Sequence, residues 1–201
     1  MKLIFLDIDG VLNTPDTMHA RHILAARKMK KFDLKYDDPG IRELIRDDFG
    51  HLFEDTAVMY LDALVTEFNA HIVISSTWRY SGLSVMKQMW AKRRLPGKVI
   101  GITPSMGYPI EDETYGEEYR TTARGFDIKQ FLRDIQKGTA PITHCDIRTP
   151  QVIESYVIFD DDRDMLKEQL DNFVQCDVQH GLSYEQYEKA RAILSNNISK
   201  T

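Results

Sequence analysis

Met1 to Leu6 is short and almost wholly apolar, and it stops abruptly at Asp7-Ile8-Asp9-Gly10. A run of that length closed by acids reads as a buried strand whose carboxyl end carries Asp7 and Asp9. In an open α/β sheet that edge is where ligands bind, and Gly10 lets the chain turn sharply and approach a ligand without a Cβ in the way. An ordinary polar turn would also use Asp-Gly. Two like charges so close are costly without a cation or a shared proton, however, so a bound metal or a raised pKa is expected.

The arrangement recurs. Residues 154–159 form a second short apolar run, followed at once by Asp160, Asp161 and Asp162 and, after Arg163, by Asp164. If the two strands are parallel neighbours, their carboxylates converge on one crevice and form a hard oxygen cage suited to Mg²⁺. Some of these aspartates would then serve only a solvated turn or a helix N-terminus. A third apolar run, 71–74, leads into Ser75-Ser76-Thr77-Trp78-Arg79. Hydroxyls, backbone N–H groups and a guanidinium after a strand are phosphate-binding groups. A Ser/Thr cluster before a helix also serves as an N-cap, a role that Thr77 or Ser81 fits.

Five short apolar segments, near 2–6, 71–75, 98–103, 155–159 and 173–177, alternate with stretches of helical periodicity near 56–68, 82–90, 126–135 and 184–194. The alternation predicts an α/β fold, a doubly wound parallel sheet joined by crossovers. Ser183 followed by Gln186 predicts a capping box for the last helix. Segment 14–55 lacks a strand of the main type and is expected to form a small helical insertion over the site. Its helices fall near 20–31 and 40–49, parted by the Asp37-Asp38-Pro39-Gly40 turn. A second irregular stretch, 104–122, reads as a loop near the same crevice, where Tyr108, Tyr115 and Tyr119 would offer stacking surfaces. With 201 residues and 42% hydrophobic content, the chain can bury one sizeable core. Length favours a single domain over 1–201 with an insertion at about 14–55, rather than two full domains.

No apolar stretch approaches the roughly 20 residues of a membrane span, and the apolar N-terminal run meets acids where a signal peptide would have small residues. Cys145 and Cys176 are too few for a disulfide framework or a zinc cluster. The expectation is a cytoplasmic enzyme with reduced thiols, without a membrane or an obligate protein partner. A formal charge of −5 argues against broad attraction to nucleic acid. Two basic regions, Lys28, Lys30, Lys31 and Lys35, then Lys87, Lys92, Arg93, Arg94 and Lys98, could hold a strand end but read more simply as solvated helix faces.

In order along the chain, Asp-Ile-Asp-Gly-Val (7–11), Ile-Val-Ile-Ser-Ser (72–76), a basic residue ahead of a helix, and Val-Ile-Phe-Asp-Asp-Asp-Arg-Asp (157–164) resemble the four motifs of the haloacid dehalogenase (HAD) superfamily of aspartate-nucleophile phosphatases. More narrowly, Ser-Ser-Thr-Trp-Arg (75–79), Gly-Ile-Thr-Pro (101–104), Arg-Gly (124–125) and Gly-Leu-Ser (181–183) are similar to a small branch of it associated with nucleic-acid end repair.

The resemblance implies a Rossmann-like core with a cap insertion and a Mg²⁺ cofactor. In it Asp7 is the nucleophile and a metal ligand, and Asp9 is the acid and then the base, its backbone carbonyl also reaching the metal. Ser75 holds a phosphoryl oxygen, with the Ser76 backbone N–H beside it and Gly10 giving room for approach. Asp160 matches the metal ligand of the fourth motif, with Asp161 or Asp164 holding a metal-bound water or orienting neighbours. The third motif departs from the usual pattern, which has a lysine. Here the cation that offsets phosphoryl charge is Arg124 by preference, with Lys129 and Arg79 in competition.

Three function classes follow from the resemblance. The first is Mg²⁺-dependent hydrolysis of a phosphomonoester, on a phosphorylated small molecule, a nucleotide or a polynucleotide end. The second is phosphoryl transfer to another acceptor on the same scaffold. The third is a noncatalytic binding or regulatory protein, against which the intact Asp7/Asp9 pair counts.

Overall fold

The computed structural model describes residues 1–105 and 124–196. The tyrosines at 108, 115 and 119, and nearly all of the loop expected over 104–122, lie outside them. Five strands, β1 (Lys2–Leu6), β4 (His71–Ile74), β5 (Lys98–Ile102), β6 (Ser155–Asp160) and β7 (Phe173–Gln175), pair in parallel in the order β5-β4-β1-β6-β7. The sequence places all five to within two residues. The chain winds outward from β1 through β4 to β5, then returns to the other side of β1 for β6 and β7. The direction therefore reverses at β1, and Leu6 pairs with Ile74 on one side and Phe159 on the other. A crevice at that reversal, beyond the strands' carboxyl ends, is the expected ligand position of a doubly wound sheet.

Alternation along β1 sends Ile4 and Leu6 to one face and Leu3 and Phe5 to the other. The first face packs under α3 (Asp55–Phe68), α4 (Leu83–Lys92) and α6 (Tyr184–Ser195) through Leu61, Leu64, Met89 and Leu194. The second packs under α5 (Arg124–Lys137) through Ile128, Phe131 and Ile135. Phe5 is fully buried there, edge-on to Phe131 and Tyr156 at 5.7 and 5.8 Å. Burial of one such ring contributes about 2–3 kcal/mol. The strand that carries Asp7 is thus fixed on both faces.

The segment after β1 departs from the expected pair of helices. Its first helix, α1 (Pro15–Phe32), begins five residues earlier than predicted, because Thr14 caps it by accepting from Thr17 N at 3.1 Å and Pro15 fits the first turn. The second expected helix is a single turn, α2 (Pro39–Arg42), followed by a two-stranded hairpin, β2 (Arg46–Asp47) and β3 (Gly50–His51). Asp47 accepts from Phe49 N at 2.8 Å and Gly50 adopts φ +119°, a turn that competes with helix. Ala25, Ile41 and Ile45 form a small core of their own. The capping box is also modified: Ser183 caps α6 through Glu185 N, while Gln186 bonds the Ser183 hydroxyl rather than its backbone.

The basic run on and after α4 is not simply a solvated face. Lys87 pairs with Asp146, Lys92 with Asp48, and Arg93 forks onto Asp47 at 2.9 and 2.7 Å. Two of these three pairs fasten the hairpin to α4. No helix of the described residues is long and apolar enough to cross a membrane.

Candidate active site

Asp7 follows the last residue of β1 and Asp160 ends β6, the neighbouring parallel strand. Parallel register brings the two ends level, so both carboxylates meet beyond the sheet edge together with that of Asp161. The three residues offer oxygens within 4.8 Å of one another, and Asp7 and Asp160 are buried. Asp7 Oδ1 accepts from Ile8 N at 2.8 Å, which leaves Oδ2 facing the crevice. Gly10 has φ +74°, and a Cβ there would overlap the Asp161 carboxylate, 2.6 Å from its Oδ2. Glycine at this position is therefore required both by the turn and by the approach of the second acidic loop.

Arg124 starts α5 and sits between the acids, its Nη1 2.8 Å from Asp7 Oδ2 and 2.7 Å from Asp160 Oδ2. The contact is ionic, since neither Arg124 Nη1 nor Asp160 Oδ2 has an aligned hydrogen-bond partner. Burial works against charging this guanidinium, but Asp160 and Asp7 outweigh it and hold it more firmly protonated than usual. The helix start is anchored by Asp164, whose Oδ2 accepts from Arg124 N at 2.8 Å. Gly125 lies so close to the loop after β6 that a Cβ would stand 2.5 Å from Leu166 N. That close approach sets the arginine over the crevice.

Negative charge exceeds positive here among the described residues. Burial raises the pKa of Asp160 well above the ordinary carboxyl range, reinforced by Asp7 and Asp164 and opposed by Arg124. Burial likewise raises those of Asp161 and Asp164. A buried Asp160 oxygen without an aligned donor, in a group of hard oxygen ligands, fits a divalent cation.

The other residues singled out in the sequence divide clearly. Ser75 is fully buried after β4, its backbone N bonded to Leu6 O at 2.9 Å, and its hydroxyl has no partner. Ser76 caps a short 3₁₀ turn through Trp78 N at 3.3 Å. Asp9 is exposed and its carboxylate is not one of the clustered three; it accepts from Asn13 Nδ2 at 3.0 Å and Trp78 Nε1 at 2.8 Å. Arg79 is buried, with Nη2 on Asp127 Oδ2 at 2.8 Å and Nη1 on the Ser75 and Ser76 carbonyls at 2.9 Å each. Lys129 points outward and pairs with Glu168 at 2.6 Å. Neither Arg79 nor Lys129 is free to meet a phosphoryl group as placed, because each cation is committed to its own carboxylate. Trp78 stands within a quoted motif, but neither it nor Asn13 nor Asp127 is given a role by the sequence: an indole or an amide becomes informative only once its partner across the fold is known.

A Rossmann-like sheet with clustered acids beyond β1 and β6 and a guanidinium between them defines an α/β protein of the HAD class. Residues 3–187 match the family model described as the HAD domain in Swiss Army Knife RNA repair proteins, and the chain belongs to that family. Neither a curated protein nor a solved structure gives a match. Family membership supports a phosphohydrolase-type function.

Proposed function

We propose that the protein is a Mg²⁺-dependent phosphohydrolase that removes a phosphoryl group from a nucleic-acid end through an aspartyl-phosphate on Asp7. The observation that carries this reading is the convergence of Asp7, Asp160, Asp161 and Arg124 at one sheet edge. The family description, RNA repair, supports the choice of substrate.

Asp7 Oδ2 attacks phosphorus in line and the bond from phosphorus to the leaving oxygen breaks, with Asp9 giving that oxygen its proton. Asp9 then takes a proton from the water that attacks the aspartyl-phosphate, and inorganic phosphate leaves with Asp7 restored. Arg124 neutralises the nucleophile beforehand and meets the charge on the phosphoryl oxygens as it develops. The unpartnered Ser75 hydroxyl donates to one of those oxygens, with the Ser76 backbone N–H beside it. Asp7, Asp160 and Asp161 would hold the metal, with the Asp9 carbonyl, and when bound it supplies Lewis-acid charge neutralisation at the phosphoryl group. The insertion at 14–55 serves as a small cap, and 1–201 as a single domain around it.

Activity toward a panel of phosphorylated metabolites, nucleotides and 3′- or 5′-phosphorylated oligonucleotides examines the substrate assignment; oligonucleotide ends are expected to be preferred. Chelation should abolish turnover and Mg²⁺ restore it, with Ca²⁺ a poor substitute because its larger, looser shell spoils in-line geometry. Full activity in excess chelator would remove the metal from the proposal.

Replacing Arg124 by alanine should lower kcat on the order of 10²-fold or more, with Arg124→Lys recovering part, since a lysine restores the charge without the planar fork. Steady-state kinetics on the three proteins checks this. A nearly silent Arg124→Ala beside a severe Lys129→Ala would move the third-motif role to Lys129.

A further inference from the structure

Asp9 stands apart from the buried acids, yet both of its carboxylate oxygens are held. Asn13 Nδ2 donates to Oδ1 at 3.0 Å and the indole Nε1 of Trp78 donates to Oδ2 at 2.8 Å. Asn13 is a near neighbour in the chain, whereas Trp78 comes from the turn after β4, 69 residues away.

The indole is itself fixed from three sides. Phe53 lies against it with ring centres 5.9 Å apart, and the Arg93 guanidinium stands 5.6 Å from its centre. Gly50 in the hairpin comes so near that a Cβ would be 3.2 Å from the ring. Arg93 in turn forks onto Asp47 and donates to the Gly50 carbonyl at 3.3 Å. The Trp78 backbone N donates to Ser76 Oγ at 3.3 Å, which ties the same residue to the loop that follows Ser75. Trp78 thereby joins the insertion hairpin and the Asp9 carboxylate through its indole and the loop after Ser75 through its backbone.

We infer that Trp78 is a positioning residue for Asp9: its indole N–H, clamped by the insertion hairpin, sets the direction in which the Asp9 carboxyl faces the leaving oxygen. The inference rests on the proposed phosphohydrolase reading. Each oxygen of Asp9 retains a second lone-pair site beyond the bond it already accepts, so the group stays open to a leaving oxygen or a water while its rotation is restricted. Proton transfer from a positioned group contributes about 10²–10⁴-fold in rate, and much of that depends on alignment.

Leaving-group dependence separates this role from simple packing. A leaving group such as p-nitrophenolate departs without a proton, whereas a ribose or alkyl oxygen needs one. Trp78→Phe keeps a ring against Gly50 and Phe53 but removes the donor. The expected result is a kcat about tenfold or more lower on a phosphorylated oligonucleotide end and on an alkyl phosphate, with phosphorylation of Asp7 by p-nitrophenyl phosphate in single turnover changed less than about twofold. As a second variant, 3-benzothienylalanine placed at position 78 has the shape of tryptophan with sulfur in place of N–H, and it should give the same split with an unchanged melting midpoint.

An equal loss on every substrate, or no loss on the poor leaving groups, in the benzothienyl protein overturns the inference while leaving the phosphohydrolase reading intact. If the unaltered protein releases phosphate from none of these compounds with Mg²⁺ present, or if Asp7→Asn releases it equally well, the reading fails and the inference falls with it.

Discussion

Asp7→Asn is expected to reduce phosphate release to background, a loss on the order of 10³-fold or more, because the proposed nucleophile itself is removed. The variant should still fold. Its amide oxygen can keep the 2.8 Å bond from Ile8 N, and its NH₂ then faces Arg124, where a donor-to-donor contact replaces an ion pair. Against that cost, one of several crowded acids has lost its charge, which relieves repulsion on Asp160. Asp9→Asn should behave differently. It retains the nucleophile and loses only the proton donor and later base, so p-nitrophenyl phosphate should still phosphorylate Asp7 and the intermediate should persist. Intact-protein mass spectrometry should show one added phosphoryl group, mapped to Asp7, in Asp9→Asn and none in Asp7→Asn. Robust multiple turnover by Asp7→Asn would replace the covalent route with direct attack by a metal-activated water.

The strands were legible because their signal is local: each is a short apolar run that ends where polarity switches, and the sheet covers both faces of such runs. The clustering of Asp7, Asp160 and Asp161 was legible for the same reason, since these acids stand at the ends of apolar strands that pair in parallel, although the same signal also pointed to Asp9, whose carboxylate lies outside the cluster. The insertion was only partly legible. Ile41 and Ile45 have helical spacing and are indeed buried together, but the chain leaves the helix after Arg42. What unwinds it is the turn at Asp47 and Gly50 and the fork of Arg93 onto Asp47, a contact across 46 residues that no window of sequence contains. The three competing cations illustrate the same limit. Arg124, Lys129 and Arg79 are equivalent as residue types, and only the partners Asp7, Glu168 and Asp127 tell them apart.

Arg79→Ala is expected to produce the largest loss of stability, about 3–5 kcal/mol, because it breaks a buried ion pair by removing one side. The guanidinium is almost fully buried, Asp127 is 1% exposed, and the two meet at 2.8 Å. Without this guanidinium, the buried Asp127 carboxylate loses its 2.8 Å ion pair and faces the space the side chain filled, and the Ser75 and Ser76 carbonyls lose the donor that both share. For a chain of this length the melting midpoint should fall by roughly 10 °C. Asp127 lies in the first turn of α5, three residues after Arg124, so the pair also fixes the helix start that aims Arg124 at Asp7. Activity at a temperature where the variant remains folded should therefore fall as well, chiefly in kcat. Asp127→Asn added to Arg79→Ala should recover part of the stability, since a neutral amide in the same place costs less to bury than a carboxylate. Urea denaturation of the single and double variants measures both terms. A single variant within about 1 kcal/mol of the parent would mean that water reaches the pair freely and that Arg79 is not what holds α5 to the loop after β4.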